Sequence, residues 1–201
     1  MNTQNSTITK LAETALMAAL CYVSFTFLQI KIPVPGGDAT SIHIGNAFCV
    51  LAALLIGGVY GGLSGAIGMG IADLMDPVYI TGAPKTFVLK FCIGLITGLV
   101  AHKIAKINES TDKKYVFKWS VIASVAGLAF NVVADPIVGY FYILGQPQEL
   151  AQALAKMSAV ATLFNAVVSV ILVAVIYNAV RPVLIKSHLL TVTGKKKEQA
   201  A

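Results

Sequence analysis

The stretch GGVYGGLSGAIGMGIADLMDP, Gly57 to Pro77, decides how this chain folds. It has seven glycines in an apolar run and two aspartates, Asp73 and Asp76, where the run ends. Glycines recur four residues apart, which places them on one face of a helix, and such a face lets a second backbone approach closely within lipid. The stretch therefore predicts a turn near its start, followed by a tightly packed membrane helix.

The composition of the whole chain is that of an integral membrane protein. Of its 201 residues, 57% are hydrophobic and 12% are charged, and the mean hydropathy is +0.78, far above that of an ordinary soluble domain. The net charge of +6 does not indicate nucleic-acid binding, because the basic residues lie between apolar runs and at the C-terminus rather than along one face. The three cysteines stand singly and form no metal-binding or disulfide motif.

The apolar runs predict an all-α integral membrane protein with six transmembrane helices in a single membrane domain, residues 1–201. A crossing helix needs about 20 apolar residues, and fewer where its ends are buried in protein. The predicted helices are 11–30, 45–58, 61–76, 86–104, 117–143 and 158–180, and a basic tail follows at 181–201.

Basic residues orient the predicted helices. The loops on one side hold only Lys31, Lys85 and Lys156, whereas the N-terminal segment, the loop after the fourth helix and the C-terminal tail hold nearly all the others. Positive residues in short loops are retained in the cytoplasm. Both termini are therefore expected to be cytoplasmic, and the three lysines are expected to lie in outer loops.

Polar residues inside four of the predicted helices share one depth. They are Asp73, Lys90, Asn131, Asp135 and Asn165. With the orientation given above, all of them fall in the outer half of the membrane. Ionisable groups at such positions are costly and usually face a protein interior or a water-filled cavity. Their shared depth predicts a polar substrate-binding pocket that opens to the outside and is closed toward the cytoplasm.

Further residues border the predicted pocket. Tyr140 and Tyr142 lie near the outer surface. The loop 31–46 is polar, rich in glycine and proline, and carries His43 and Asn46, so we expect it to cover the pocket as a lid. No second histidine or cysteine lies at ligand spacing from His43, which argues against a metal site.

The candidate residues also have structural interpretations that the sequence leaves open. Lys90 can neutralise Asp73 or Asp135 as an ion pair, the asparagines can hydrogen-bond between helices, and the tyrosines can anchor the membrane interface. Asp135 precedes a proline and can satisfy backbone groups that a kink sets free. His43 can be a surface or capping residue, and Asp76 can cap its helix or begin the turn that follows.

The first predicted helix carries a flat face of small residues. Ala12, Ala15 and Ala19 lie on it, and the last two are spaced four residues apart. Because small residues let helices approach closely within lipid, this face suits docking against a helix of a partner protein.

Motifs for catalysis are missing from the sequence. It contains neither a GxxxxGK[ST] loop nor an HExxH motif. We therefore expect a chain that is not an enzyme, has no ATPase site and uses no metal or cofactor of its own.

Three segments carry a resemblance to a known family. They are TALMAAL, IHIGNAFCVLAALLIGGVYGGLSGAIGMGIADL and APKTFVLKFCIGLITGLVAH, and together with their surroundings they extend over most of the chain. In these segments the chain resembles the substrate-binding S components of energy-coupling factor (ECF) vitamin transporters. The HIGN segment, the glycine ladder, the GxxxAD ending and the PKTFxxK stretch are most similar to the subgroup assigned to hydroxymethylpyrimidine, the thiamin precursor, with pyridoxine-type relatives.

The resemblance implies a high-affinity capture subunit in the plasma membrane of a prokaryote. Such a subunit takes its vitamin from outside into a pocket lined by helices 4 to 6 and the outer loops, and is thought to topple within the membrane. It docks through helix 1 on a transmembrane coupling subunit, which two ATPase subunits drive with ATP and Mg²⁺. Partners implied for this chain are those subunits, a small-molecule vitamin and the lipid bilayer, but no nucleic acid.

The chemistry of an aminopyrimidine suggests a role for each pocket residue. Its amino group and neighbouring ring nitrogen match an amide, or a carboxylate beside a donor, so we assign Asn131 and Asp135 to that edge. We assign Asn165 or Lys90 to the hydroxymethyl group or a ring nitrogen. Tyr140 or Tyr142 would form a stacking wall, and Asp73 would be the far wall of the pocket or the counter-charge of Lys90.

Other functions remain open at this level. The vitamin can be pyridoxine or pantothenate, since all three compounds need a pocket of similar size with few polar contacts. A stand-alone proton-coupled carrier would use Asp73 or Asp135 as its proton site. An assembly subunit would show no affinity for a small molecule. Genes for a paired ATPase and coupling subunit in the same genome would favour the capture subunit, and reconstitution of the chain alone tests the carrier.

Overall fold

The computed structural model describes residues 3–34, 39–142, 147–187 and 189–190. Most of the predicted basic tail, 191–201, lies outside these residues, as do residues 35–38 of the predicted lid.

Within the described residues the chain is mostly helical. The long helices are α1 (Thr3–Phe27), α2 (Gly45–Ile56), α3 (Gly58–Met75), α4 (Ala83–Gly98), α5 (Lys113–Tyr142) and α6 (Gln148–Lys186), and a π-helix, Leu99–Ile104, extends α4. Two strands, β1 (Gln29–Pro33) and β2 (Ala39–His43), lie between α1 and α2, and short 3₁₀ turns occupy Ile80–Gly82 and Ile107–Glu109.

In the described part of the chain, four segments are long and apolar enough to cross a membrane. They are Thr7–Phe27, Ile80–Ile104, Lys113–Phe141 and Gln148–Lys186. The helix α2 is apolar but has only 12 residues, and α3 has 18 residues of which many are glycine. Six membrane crossings and cytoplasmic termini therefore remain predictions.

The segment predicted as an irregular lid is a β-hairpin. The strands β1 and β2 pair antiparallel, from Gln29 opposite His43 to Pro33 opposite Ala39. The first helix accordingly ends at Phe27 rather than at residue 30. The sequences QIKIP and ATSIH are rich in β-branched residues, which favour an extended backbone over a helix.

Two lysines expected in outer loops belong to helices. Lys85 lies in the first turn of α4, which begins at Ala83 because Pro84 suits the first turn of a helix. Lys156 lies within α6, which begins at Gln148 and is longer than the predicted helix 158–180. Because α4 and α6 begin earlier in the sequence than predicted, both helices extend to the hairpin, and their polar residues lie at a similar depth in the bundle.

The glycine stretch packs α3 against its neighbours, as predicted. Gly57, with φ of +98°, forms the break between α2 and α3. A Cβ atom added to Gly62 would lie 2.6 Å from the carbonyl oxygen of Phe91, and one added to Gly94 would lie 2.2 Å from the backbone nitrogen of Gly62. The backbones of α3 and α4 are therefore in direct contact, and this contact fixes the alignment of their polar residues.

Apolar side chains fill the bundle on the side away from the hairpin. Leu54, Ile93 and Leu128 are fully buried on α2, α4 and α5, one to two turns from the polar residues of the same helices. On the side of the polar residues that faces away from the hairpin, the interior of the bundle is therefore filled with apolar side chains.

Candidate ligand-binding site

A polar cavity lies beneath the hairpin, where α2 to α6 converge. We call it the binding cavity. It has a volume of about 100 Å³, and its polar lining comprises Thr40, Ser41, His43, Asn46, Asp73, Lys85, Thr86, Lys90, Asn131, Asp135, Ser158, Thr162 and Asn165. A second cavity of about 110 Å³, lined by both apolar and polar residues, adjoins it. The residues shared by the two cavities are Ala39, Asp73, Tyr79, Lys85, Thr86 and Ser158.

Seven of the nine predicted substrate-binding residues line the binding cavity. They are His43, Asn46, Asp73, Lys90, Asn131, Asp135 and Asn165. Tyr140 does not line it, because its ring packs edge to face on Phe141, with centroids 5.1 Å apart. The side chain of Tyr142 lies outside the described part of the structure. The stacking wall assigned to these tyrosines is thus not formed by Tyr140.

The aromatic wall comes from residues that the sequence analysis missed. Phe25 and Tyr79 line the binding cavity, with their ring centroids 6.1 Å apart and their planes inclined at 57°. Tyr79 lies just before the 3₁₀ turn that leads into α4. The aromatic residue closely following the DP pair at the end of the glycine stretch is the signal that could have identified it.

The side chain of Asn165 is committed to the hairpin. Its Nδ2 donates to the carbonyl oxygen of Ser41 at 2.9 Å, and its Oδ1 accepts from the backbone N–H of His43 at 3.0 Å. The amide thus pairs with β2 as a neighbouring strand would. We therefore assign Asn165 to holding the hairpin over the cavity instead of to ligand recognition.

A second attachment holds the other strand of the hairpin. Lys31 on β1 forms an ion pair with Asp76, and its ammonium lies 5.2 Å from the centroid of the Tyr79 ring. Asp76 ends α3 and also accepts a hydrogen bond from the backbone N–H of Val78 at 3.1 Å, as expected of a residue that begins the turn. Both strands are therefore tied to helices that line the cavity.

His43 is buried, so the interpretation as a surface residue is wrong. Its Nδ1 accepts a hydrogen bond from the backbone N–H of Gly45 at 3.2 Å, which satisfies one N–H group at the start of α2, as a capping residue would. This bond assigns the proton of the neutral ring to Nε2. Its ring also packs edge to face on Phe25, with centroids 4.6 Å apart. Within the described ranges, no group of three or more His, Cys, Asp or Glu residues is placed to hold a metal ion.

The counter-charge of Asp135 is Lys85. The Lys85 ammonium lies 3.1 Å from Oδ1 of Asp135, and the Thr162 hydroxyl donates to Oδ2 at 3.2 Å. Lys90, which the sequence analysis considered as the partner of Asp135, makes no ion pair within 4.0 Å among the described residues. Asp135 therefore has two protein partners before any ligand arrives.

Three acceptor atoms in the binding cavity have no partner. They are Oδ1 of Asn46, Oδ1 of Asp73 and Oδ1 of Asn131, each buried and without a hydrogen bond among the described residues. Leaving a buried acceptor unpaired costs about 1 to 3 kcal/mol. Three residues that line the cavity therefore each hold a buried acceptor whose hydrogen-bonding capacity the described residues leave unused.

The predicted docking face of α1 lies on the surface. Ala12, Ala15 and Ala19 are exposed, whereas Ala18, on an adjoining face, packs so closely on α3 that a Cβ atom on Gly68 would lie 2.2 Å from its carbonyl oxygen. The small-residue face is thus available for another protein, while the other face attaches α1 to the bundle.

Comparison with known proteins gives both a family and a fold. Residues 5–182 match the family model described as ECF-type riboflavin transporter, S component. A solved structure of ThiT from Listeria monocytogenes has a TM-score of 0.65 and 18% sequence identity to this chain, and the match covers 89% of this chain and 98% of that one. An uncharacterized protein from Pyrococcus woesei is 32% identical over 76 residues. That match covers 38% of this chain and 49% of the relative, so this chain spans about half the length of the curated relative.

Proposed function

This chain belongs to the ECF-type riboflavin transporter S component family, whose members are vitamin-capture subunits of ECF transporters, and we propose that the vitamin it captures is hydroxymethylpyrimidine. The observation that carries this proposal is the binding cavity, which has three unpartnered acceptors and a buried lysine within an apolar bundle. Ionisable and amide groups are expensive at such a place and are kept there for binding.

The size of the cavity favours a ligand with a single ring. Pockets for drug-sized molecules measure about 300 to 1,000 Å³, whereas this cavity measures about 100 Å³ and the cavity that adjoins it about 110 Å³. Riboflavin, named in the description of the family, has three fused rings and a ribityl chain. Its size, rather than its hydrogen-bonding groups, therefore disfavours it.

The charge of the cavity favours a ligand without net charge. Its lining includes two aspartates, Asp73 and Asp135, and two lysines, Lys85 and Lys90. A neutral ligand keeps this balance, whereas the carboxylate of pantothenate or the cationic ring of thiamin would add an uncompensated charge in a medium of low dielectric constant. Hydroxymethylpyrimidine and pyridoxine both satisfy this condition.

The hydrogen-bonding pattern supports hydroxymethylpyrimidine. Its amino group offers two N–H donors and its hydroxymethyl group offers one O–H donor, which equals the number of unpartnered acceptors on the lining residues Asn46, Asp73 and Asn131. Its ring nitrogens accept hydrogen bonds and suit the ammonium of Lys90. Pyridoxine also has three hydroxyl donors and is the second candidate.

The exposed small-residue face of α1 supports a docking role. We assign Ala12, Ala15 and Ala19 to contact with the transmembrane coupling subunit, through which two ATPase subunits would drive transport. The hairpin would be the lid of the cavity, since it is held above it by side-chain bonds from α6 and from the end of α3.

Equilibrium binding to the purified chain in detergent tests the proposal. The panel comprises labelled hydroxymethylpyrimidine, pyridoxine, pantothenate, riboflavin and thiamin, without the partner subunits. We expect hydroxymethylpyrimidine to bind most tightly. Tight binding of another vitamin would contradict the proposed substrate and preserve the capture role, whereas a folded sample that binds none of the five would contradict capture of these vitamins.

A further inference from the structure

We propose that Asp73 and Lys90 determine ligand specificity by binding opposite ends of one molecule that bridges them. Asp73 accepts a hydrogen bond from the donor end of the ligand, and Lys90 donates one to its acceptor end. The ligand class that follows is a single-ring heterocycle with no net charge, a donor at one end and an acceptor at the other. This inference rests on the proposed function.

Both charges are buried and face the binding cavity. Asp73 is 3% exposed and Lys90 is 7% exposed, and both line the cavity. The Thr86 side chain interacts with the Asp73 carboxylate, but the Oδ1 atom of Asp73 has no hydrogen-bond partner among the described residues. The Asp73 carboxylate therefore has hydrogen-bonding capacity that the described residues do not use.

The two opposite charges do not pair with each other. Among the described lysines and aspartates, the pairs within 4.0 Å are Lys31 with Asp76 and Lys85 with Asp135. Since Lys85 neutralises Asp135, Asp73 and Lys90 are the charged cavity residues in the described part of the chain that lack an ion pair. A buried charge without a close partner costs several kcal/mol, so a direct ion pair would be the expected arrangement if stability alone decided.

The alignment of α3 and α4 explains why they stay apart. The helices pack antiparallel, with Gly65 opposite Lys90, where a Cβ atom on Gly65 would lie 3.5 Å from that of the lysine. Asp73 lies eight residues beyond Gly65 on α3, which corresponds to about 12 Å along the helix. In this register the backbones of the two helices touch at Gly62 and Gly94.

This separation suits a small ring. Asp73 and Lys90 both line the binding cavity, so a ligand bound there can contact both residues. Asn131 and Asn46 flank it with further acceptors. The ligand therefore supplies the hydrogen-bond partners that the two charged residues do not find in each other. Its donor group lies at Asp73 and its acceptor group at Lys90.

Charge-altering variants and three probes on one ring test the inference. The variants are Asp73→Asn and Lys90→Met, and the probes are hydroxymethylpyrimidine, the analogue with a carboxylate in place of the hydroxymethyl group, and the analogue with an aminomethyl group there. Glu149→Gln and Lys156→Met are matched controls, because both residues are exposed on α6 and do not line the binding cavity.

We expect the wild-type chain to bind the neutral probe best, and each cavity variant to bind it about ten- to a hundredfold more weakly, since a hydrogen bond to a charged group is lost. The ratio of the affinity for the carboxylate analogue to the affinity for the neutral probe should be at least about tenfold higher in Asp73→Asn than in the wild type. The corresponding ratio for the aminomethyl analogue should be at least about tenfold higher in Lys90→Met. In each case the charged probe restores the charge balance of the cavity. The controls should match the wild type.

The outcomes separate the inference from the proposed function. Equal weakening of all three probes by both variants, or no change, would overturn the inference, as would a wild-type preference for a charged probe, while vitamin capture would stand. A folded wild type that binds none of the probes and none of the vitamin panel would overturn both. If a single variant does not fold, the double variant Asp73→Asn/Lys90→Met, in which both charges are removed, replaces it. A double variant that binds the neutral probe as tightly as the wild type does would contradict the inference.

Discussion

The side-chain amide of Asn165 joins α6 to the carbonyl oxygen of Ser41, 124 positions earlier in the chain, at 2.9 Å. The same amide accepts the N–H of His43 at 3.0 Å. One polar side chain inside the bundle thus holds the second strand of the hairpin, β2, over the binding cavity.

Replacing this side chain should loosen the hairpin. Asn165→Ala removes two hydrogen bonds, each worth about 0.5 to 1.5 kcal/mol, so amide hydrogen exchange in β2 should accelerate about tenfold and bound ligand should dissociate faster. The control is Asn178→Ala on the same helix, whose Nδ2 bonds to the carbonyl oxygen of Ala174 within α6. Unchanged exchange in β2 after Asn165→Ala would contradict this role.

Asn131 should strengthen ligand binding and lower the stability of the folded chain. Its Oδ1 is buried without a partner among the described residues, so Asn131→Leu, which has nearly the same shape, should raise the free energy of unfolding by about 1 kcal/mol. The same variant should weaken ligand binding at least about tenfold. Thermal unfolding in detergent and equilibrium binding measure the two effects.

Leu128→Ala, one turn away on α5, provides the opposite control. It removes a fully buried apolar side chain and should lower stability by about 2 to 5 kcal/mol while the folded fraction still binds. If Asn131→Leu instead lowers stability and leaves affinity intact, Asn131 is a structural residue.

The glycine contact between α3 and α4 should tolerate no side chain. A Cβ atom on Gly94 would lie 2.2 Å from the backbone nitrogen of Gly62, so Gly94→Ala should force the helices apart and cost about 1 to 3 kcal/mol. Gly82→Ala is the matched control, since nothing lies within 4 Å of its Cβ position. Equal melting temperatures for the two variants would show that the backbones are not in contact in the membrane.

A bulky side chain on α1 should separate assembly from capture. Ala15 is exposed, so Ala15→Trp should leave ligand affinity unchanged and prevent copurification with the coupling and ATPase subunits. Val175→Trp, at a position of α6 that is 65% exposed, should affect neither property. Normal assembly of the Ala15→Trp variant would place the docking face elsewhere.

Much of the fold follows from the sequence because apolar runs and glycine spacing carry strong signals. The turn at Gly57 and the close packing of α3 are both found as predicted. The hairpin was missed because QIKIP and ATSIH are short, and an apolar start such as QIKI reads equally well as the end of α1. Pairing between strands depends on partners that are distant from any local pattern.

For the site, the sequence indicates which polar residues share a level but not which of them have partners already. Asn131 and Asn165 are both buried asparagines. The amide of Asn165 is hydrogen-bonded to β2, whereas Oδ1 of Asn131 has no partner among the described residues. Lys85 and Lys90 differ in the same way, because the start of α4 and its alignment with α5 decide which lysine reaches Asp135. Such choices depend on helix register, which a single sequence does not encode locally.

The most direct test of the account is a calorimetric titration of the purified chain, reconstituted alone in lipid nanodiscs, with hydroxymethylpyrimidine. We predict saturable binding of one molecule per chain, lost in Asn131→Leu and retained in Lys156→Met. A correctly folded wild-type chain that shows no saturable binding, or an Asn131→Leu variant that binds as the wild type does, would contradict the assignment of this cavity to that vitamin precursor.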